Sequence, residues 1–293
     1  GGAFGAYMFG VGSTEMLGVV VTGEIWLRVP ETIQMWWDGA LPAGVTAKDM
    51  MLHMIGRFGM NGGRYQAVEF AGPAVAALSM QERMTLSNMS AELGAQAGLI
   101  APDATTAAFL AEAGAPSADT GAWFTDDGAE LTRHGFDAGA LEPHVAAPHS
   151  PANSRGVSHY AGTPVDVAYI GACTGAKLDD LRAAARVLRG HRVAAGVRLI
   201  VAPASIRDQE RARAEGVLQA LTDAGAELFP TACGACSGYG DPMGDDITVI
   251  STTARNFKGR MGSPSAQVYL GSPYTVAAAA LRGRVTDPRE VLA

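Results

Sequence analysis

From residue 165 onward, short apolar runs alternate with segments long enough to be helices, and this alternation limits the fold more than any other feature. Residues 165–170, 199–202 and 247–251 read as strands. Residues 178–188 read as a helix, as does the segment that Ser205 caps and that runs to about Ala224, with Gly225 as its stop. Ser272-Pro273 opens another, through Leu281, with proline at the first helical position. Strands joined through helices imply a parallel sheet, in which binding groups gather in loops past the carboxyl ends of the strands. Cys173, Cys233 and Cys236 all fall in such loops or their equivalents.

The earlier part is less legible. Residues 1–28 are glycine-rich and then apolar, with Val19-Val20-Val21 a short strand-like or helical run. Residues 30–102 read as mostly helical with loops between. Thr46 is a helix cap ahead of Met50, Met51, Met54, Ile55 and Phe58, which recur at helical spacing and read as core. Residues 83–97 read as a further helix, placing Asn88 and Glu92 one turn apart on one face. Residues 112–162 lack long periodicity and read as irregular structure and a linker, with a short strand near Val145.

Bulk properties narrow the function classes. A net charge of −7 without a basic run argues against nucleic-acid binding, which needs a cationic face for the phosphates. Apolar stretches stop well short of the ~18–20 residues of a membrane span. The first residues lack the basic start of a signal peptide, so the chain is expected to be cytoplasmic. In a reducing compartment, three cysteines point to metal or redox chemistry rather than to disulfides.

Cys233-Gly-Ala-Cys236 has small neighbours, which let the backbone approach a bulky inorganic group. Three thiolates are one fewer than a structural zinc or a fully ligated cluster takes, and they suit a cluster with one iron left open. Spacing alone leaves four readings: cluster, zinc completed by a histidine, redox pair, and buried inert cysteines.

The wording of the motifs is more specific. Ile170-Gly-Ala-Cys-Thr-Gly175 with Leu178-Asp-Asp-Leu181, Ala232-Cys-Gly-Ala-Cys-Ser-Gly238, Ser251-Thr-Thr-Ala-Arg-Asn-Phe-Lys-Gly-Arg-Met-Gly262 and Tyr269-Leu-Gly-Ser-Pro273 resemble blocks of the aconitase superfamily. Phe9-Gly-Val-Gly-Ser-Thr-Glu15, Gly44-Val-Thr-Ala-Lys-Asp49, Leu78-Ser-Met and Asn88-Met-Ser-Ala-Glu-Leu-Gly-Ala95 match in the same order. Within the superfamily the blocks are most similar to the large subunits of 3-isopropylmalate dehydratase and homoaconitase, especially residues 254–262 and Leu141-Glu-Pro143.

The resemblance implies an α/β fold of three-layer α/β/α domains, divided at 1–28 (the tail of a first domain), 29–141 and 142–293. It implies a hydro-lyase that removes water from a hydroxy acid and adds it back the other way round. Cys173, Cys233 and Cys236 would hold a [4Fe–4S] cluster, and Arg255 and Arg260 would bind substrate carboxylates. Glu92 would be an active-site carboxylate near the exchanging water, with Asn88 hydrogen-bonding beside it. A separate small subunit would carry the swivelling domain. The family's Asp-Ser-His-Thr motif precedes the stretch matched from Gly1, so the expectation is either a chain whose first domain has been cut away or one to which another polypeptide supplies it; without that motif and the swivelling domain the chain alone is not expected to turn over substrate. Ala254 stands where the family carries asparagine, and Ala172 and Gly175 where it carries serine and asparagine.

Overall fold

The computed structural model describes residues 1–115, 123, 125–126 and 128–292. Helix α1 (Ser13–Thr22) begins where the Glu15 carboxylate accepts the Gly12 N–H at 2.6 Å, and it ends at Gly23 in the left-handed conformation. None of its residues is buried. Strand β1 (Thr32–Asp38) leads to α2 (Ala47–Phe58), which Thr46 caps as its sequence predicts. The Asp49 carboxylate returns a bond to the Thr46 N–H at 2.8 Å, and Met50, Met51, Met54 and Ile55 are fully buried.

Next come β2 (Ala67–Ala71), α3 (Pro73–Ala76), α4 (Met80–Met89), β3 (Ala97–Leu99), α5 (Ala104–Glu112) and β4 (Thr132–Asp137). The four strands form a parallel sheet in the order β3-β2-β1-β4. The reading of residues 30–102 as mostly helical therefore missed three strands, and β4 lies in the segment read as irregular. Short strands covered on both faces lose the alternation that marks a half-exposed strand, and periodicity cannot separate them from helix. Part of that irregular segment lies outside the described residues.

The strand expected near Val145 is β5 (His144–Ala146), paired antiparallel with β6 (Ser154–Gly156). Then follow β7 (Val167–Ile170), α6 (Leu178–Leu188), β8 (Arg198–Val201), α7 (Ile206–Ala214), α8 (Val217–Asp223), β9 (Ala226–Leu228), β10 (Thr248–Ser251), β11 (Gln267–Leu270) and α9 (Pro273–Arg282). The single helix expected from Ser205 is two, because Gly216 takes a left-handed conformation between them. Strands β9 and β11 were not foreseen. The second sheet runs β6-β5-β11-β10-β7-β8-β9, with β11 to β9 parallel.

Alternate residues of this sheet feed different cores. Ala168, Ile170, Leu199, Val201 and Ile250 join the cluster with α6, α8 and α9, whereas Val167, Tyr169, Ile200 and Val249 face Cys236, Met243 and Met261. The α/β class with parallel sheets holds for both halves of the chain. Among the described residues no helix is long and apolar enough to cross a membrane.

Candidate active site

Strand order decides where chemistry can gather. From β7 the chain moves to β8 and β9 on one side, then crosses back to β10 on the other, so β7 and β10 flank the sheet's switch point. Loops at such a point diverge and open a crevice beyond the carboxyl ends of the strands. The loop after β7 carries Cys173, and the loop after β10 carries Arg255 and Arg260.

Thr252 knots these two loops together. Its hydroxyl accepts the Gly171 N–H and bonds the Gly171 carbonyl, each at 2.9 Å, while its own carbonyl accepts the Thr174 hydroxyl at 3.0 Å. A Cβ on Gly175 would fall 2.2 Å from the Thr252 side chain and 2.7 Å from its carbonyl oxygen, so the close approach requires glycine. Ala172 takes a φ of 67°, a left-handed conformation that alanine rarely adopts, just before Cys173.

Cys233 caps a turn of 3₁₀ helix, Gly234–Ser237, which contains Cys236 and ends at Gly238 in the left-handed conformation. Cys236 is buried, whereas Cys173 and Cys233 are exposed. Burial pushes the Cys236 thiol up to about 11, and the neighbouring Cys233 adds to this. Arg260 pulls the other way, and Cys173 raises it further. Among the described residues no three histidine, cysteine, aspartate or glutamate side chains form a group that could hold a metal ion.

The first sheet contributes from the opposite wall. The Asn88 amide donates to the Cys173 sulfur at 3.2 Å. Glu92 is buried; its Oε1 accepts from Arg255 Nε at 2.5 Å, and among the described residues its Oε2 has no partner. Asn88 and Glu92 do not share a helix, which corrects the expectation of one running over residues 83–97. Ser79 caps α4 earlier than expected, accepting the Glu82 N–H at 3.3 Å, and the helix stops at Met89 so that β3 can pair with β2. Glu92 then sits in a turn that Gly94 closes at φ 81°. A cavity of about 450 Å³ beside this wall is lined by Met84, Ser87, Asn88, Cys173 and Lys177 among others.

The model of the Aconitase family (aconitate hydratase) matches residues 1–162 and 154–283. The chain belongs to the aconitase family. Its relatives include 3-isopropylmalate dehydratase large subunit 2 of Archaeoglobus fulgidus, 42% identical over 99% of this chain and 70% of that protein. The 3-isopropylmalate dehydratase large subunit of Nitratidesulfovibrio vulgaris is 44% identical over 98% of this chain and 68% of that protein. A probable methanogen homoaconitase large subunit of Methanosarcina mazei is 43% identical over 99% of this chain and 73% of that protein.

Two lysines of this aconitase-family chain also reach the crevice, and sequence reading gave neither a role. Lys48 is fully buried and donates to the carbonyls of Thr252 and, at 2.8 Å, of Thr253. Burial lowers it to about 7. Lys177 donates to the Thr85 hydroxyl at 2.9 Å, the Cys173 carbonyl at 3.4 Å and the Asp180 carboxylate at 2.5 Å. The signal for Lys48 was available: it is a cation in the first turn of a helix, where the dipole favours anions. Asn256 pins the arginine loop from below, donating to Ala147 O at 2.8 Å and Val268 O at 2.9 Å.

Proposed function

We propose that this chain is the large subunit of a 3-isopropylmalate dehydratase, interconverting 2- and 3-isopropylmalate by removing and re-adding water. Membership of the aconitase family makes it a hydro-lyase. The observation that carries the substrate class is the Glu92–Arg255 pair, which joins a buried carboxylate to a half-exposed guanidinium at the edge that holds Cys173. A hydroxy dicarboxylate needs fixed cations, and a guanidinium grips a carboxylate with two parallel N–H bonds that lysine cannot copy.

In this reading Cys173, Cys233 and Cys236 hold a [4Fe–4S] cluster, and their loops draw together on it, since the three thiols do not form a ligand group as they stand. Three thiols lie in loops at one edge, Gly234 and Gly238 leave room around two of them, and the Asn88 amide already bonds a sulfur. When bound, such a cluster supplies an open iron that acts as a Lewis acid on the substrate's hydroxyl and carboxylate. Arg255 and Arg260 bind and orient the carboxylates. Arg255 Nε holds Glu92 Oε1, and the partnerless Oε2 supports a reading in which that oxygen gives or takes the proton of the exchanging water. Asn88 orients the Cys173 loop and the substrate beside it.

The relatives' designation as large subunits supports a small-subunit partner; that it carries the swivelling domain, in a cytoplasmic heterodimer serving leucine biosynthesis, is part of the same proposal. The exposed apolar stretch around α1, with Leu17, Val20, Val21, Trp26 and Val29, supports a contact with a further polypeptide segment there. The division at 1–28, 29–141 and 142–293 is part of the same proposal. The homoaconitase relative supports a second reading, in which homocitrate is the substrate.

A substrate panel decides between them. The chain, reconstituted anaerobically with the small subunit and a segment carrying the Asp-Ser-His-Thr motif, is given 3-isopropylmalate, homocitrate or citrate, and the unsaturated intermediate is followed by ultraviolet absorbance. Turnover of 3-isopropylmalate is expected; preference for homocitrate selects the second reading, and turnover of none rejects both.

A further inference from the structure

Lys48 places an ammonium where two physical costs oppose it. It lies in the first turn of α2, where the helix dipole disfavours a cation, and its side chain is 1% exposed. An unpaired buried charge is strongly destabilising, and an apolar side chain of similar length commonly serves stability as well or better. A lysine at this place is therefore explained by its hydrogen bonds. They go to two successive carbonyls, of Thr252 and Thr253, just past the end of β10. The neutral amine, favoured by burial, still has two N–H donors for the same two acceptors.

Those carbonyls are the start of the arginine loop. The Thr252 carbonyl also accepts the hydroxyl of Thr174, the residue after Cys173, and the Thr253 hydroxyl donates to the Arg255 carbonyl at 3.2 Å. We propose that Lys48 is a positioning residue: it clamps the turn at Thr252 and Thr253 so that Arg255 meets Glu92 and the Cys173 loop stays docked against the same turn. Its consequence for substrate rests on the reading of Arg255 as a carboxylate binder; the clamp itself does not.

The test reads the Arg255 Nε–H resonance in ¹⁵N-labelled full chain, assigned by its loss in Arg255→Lys. Wild type is expected to show it displaced from the free-arginine position by the Glu92 carboxylate and slow to exchange with water. Lys48→Met is expected to return it to the free position, with exchange about tenfold faster and the far-ultraviolet circular dichroism unchanged. Lys48→Gln, which retains an amide donor, is expected to fall between. A folded Lys48→Met whose Arg255 resonance stays in place overturns the clamp. So does unfolding of both variants, which would make Lys48 a folding requirement. In the assembled enzyme, Lys48→Met is expected to raise KM for 3-isopropylmalate about tenfold with less effect on kcat. A Lys48→Met resonance that returns to the free position with unchanged KM upholds the clamp and rejects the carboxylate role of Arg255.

Discussion

Glu92 and Arg255 stand 163 residues apart in sequence and meet through a 2.5 Å bond between Oε1 and Nε. One residue is buried and comes from the first sheet's side of the crevice, and the other is half-exposed and comes from the second. The bond divides the work of each group. It spends one edge of the guanidinium and one oxygen of the carboxylate; on the proposed function this leaves the Nη atoms for a carboxylate ligand and Oε2 for a proton.

Glu92→Gln preserves shape and removes the proton acceptor. Turnover is expected to fall about 10²–10⁴-fold with a smaller change in KM, as for loss of a positioned general acid or base. Arg255→Lys preserves charge and removes the fork, and its expected mark is a KM increase of about tenfold or more. Steady-state kinetics of both variants check this pair; the reverse assignment of effects would exchange their roles.

Gly175→Ala is expected to destabilise the fold by about 1–3 kcal/mol, the usual range for overpacking a closely fitted site. The added methyl would lie 2.2 Å from the Thr252 side chain and force apart the loops that carry Cys173 and Arg255. Urea unfolding measures the loss, and an unchanged midpoint would mean that the two loops are not knotted at Thr252.

Acid stability has an identifiable contributor in His53. Burial, helped by His144 and Arg57, pushes its imidazole down to about 4. The unfolded histidine titrates near ~6.5, so below that pH the unfolded chain binds a proton that the native chain refuses. Stability from this group is thus lost as pH falls from about 6.5 towards about 4, and the loss levels off below. Burial raises Asp49 and Glu82, which act in the opposite sense, so comparison with a variant isolates His53. The urea midpoint of His53→Gln is expected to fall less than that of wild type between about pH 7 and about pH 4.5. Parallel curves would refute the assignment.

Much of the second sheet was legible because strands β7, β8 and β10 are apolar runs separated by helices with clear caps at Ser205 and Ser272. The first sheet was not. β3 has three residues, and β1 mixes Gln34 with Met35 and Trp37 in a strand buried on both faces. At the site, the cysteine loops were readable from small flanking residues, and family likeness marked Glu92 and Arg255. The bond between those two was not readable, since it depends on α4 stopping at Met89 and on the two sheets meeting. The partners of Lys48 were hidden for the same reason, although its place as a cation in the first turn of α2 was a readable signal: its acceptors are backbone carbonyls about two hundred residues away, which leave no trace in side-chain pattern.

The most direct test of the account is iron and acid-labile sulfide analysis of the chain after anaerobic reconstitution, beside Cys173→Ser, Cys233→Ser and Cys236→Ser. About four irons and four sulfides per wild-type chain are expected, with loss of the cluster in each serine variant. A folded wild-type chain that takes up no iron, or binds it equally well without these thiols, would contradict the account.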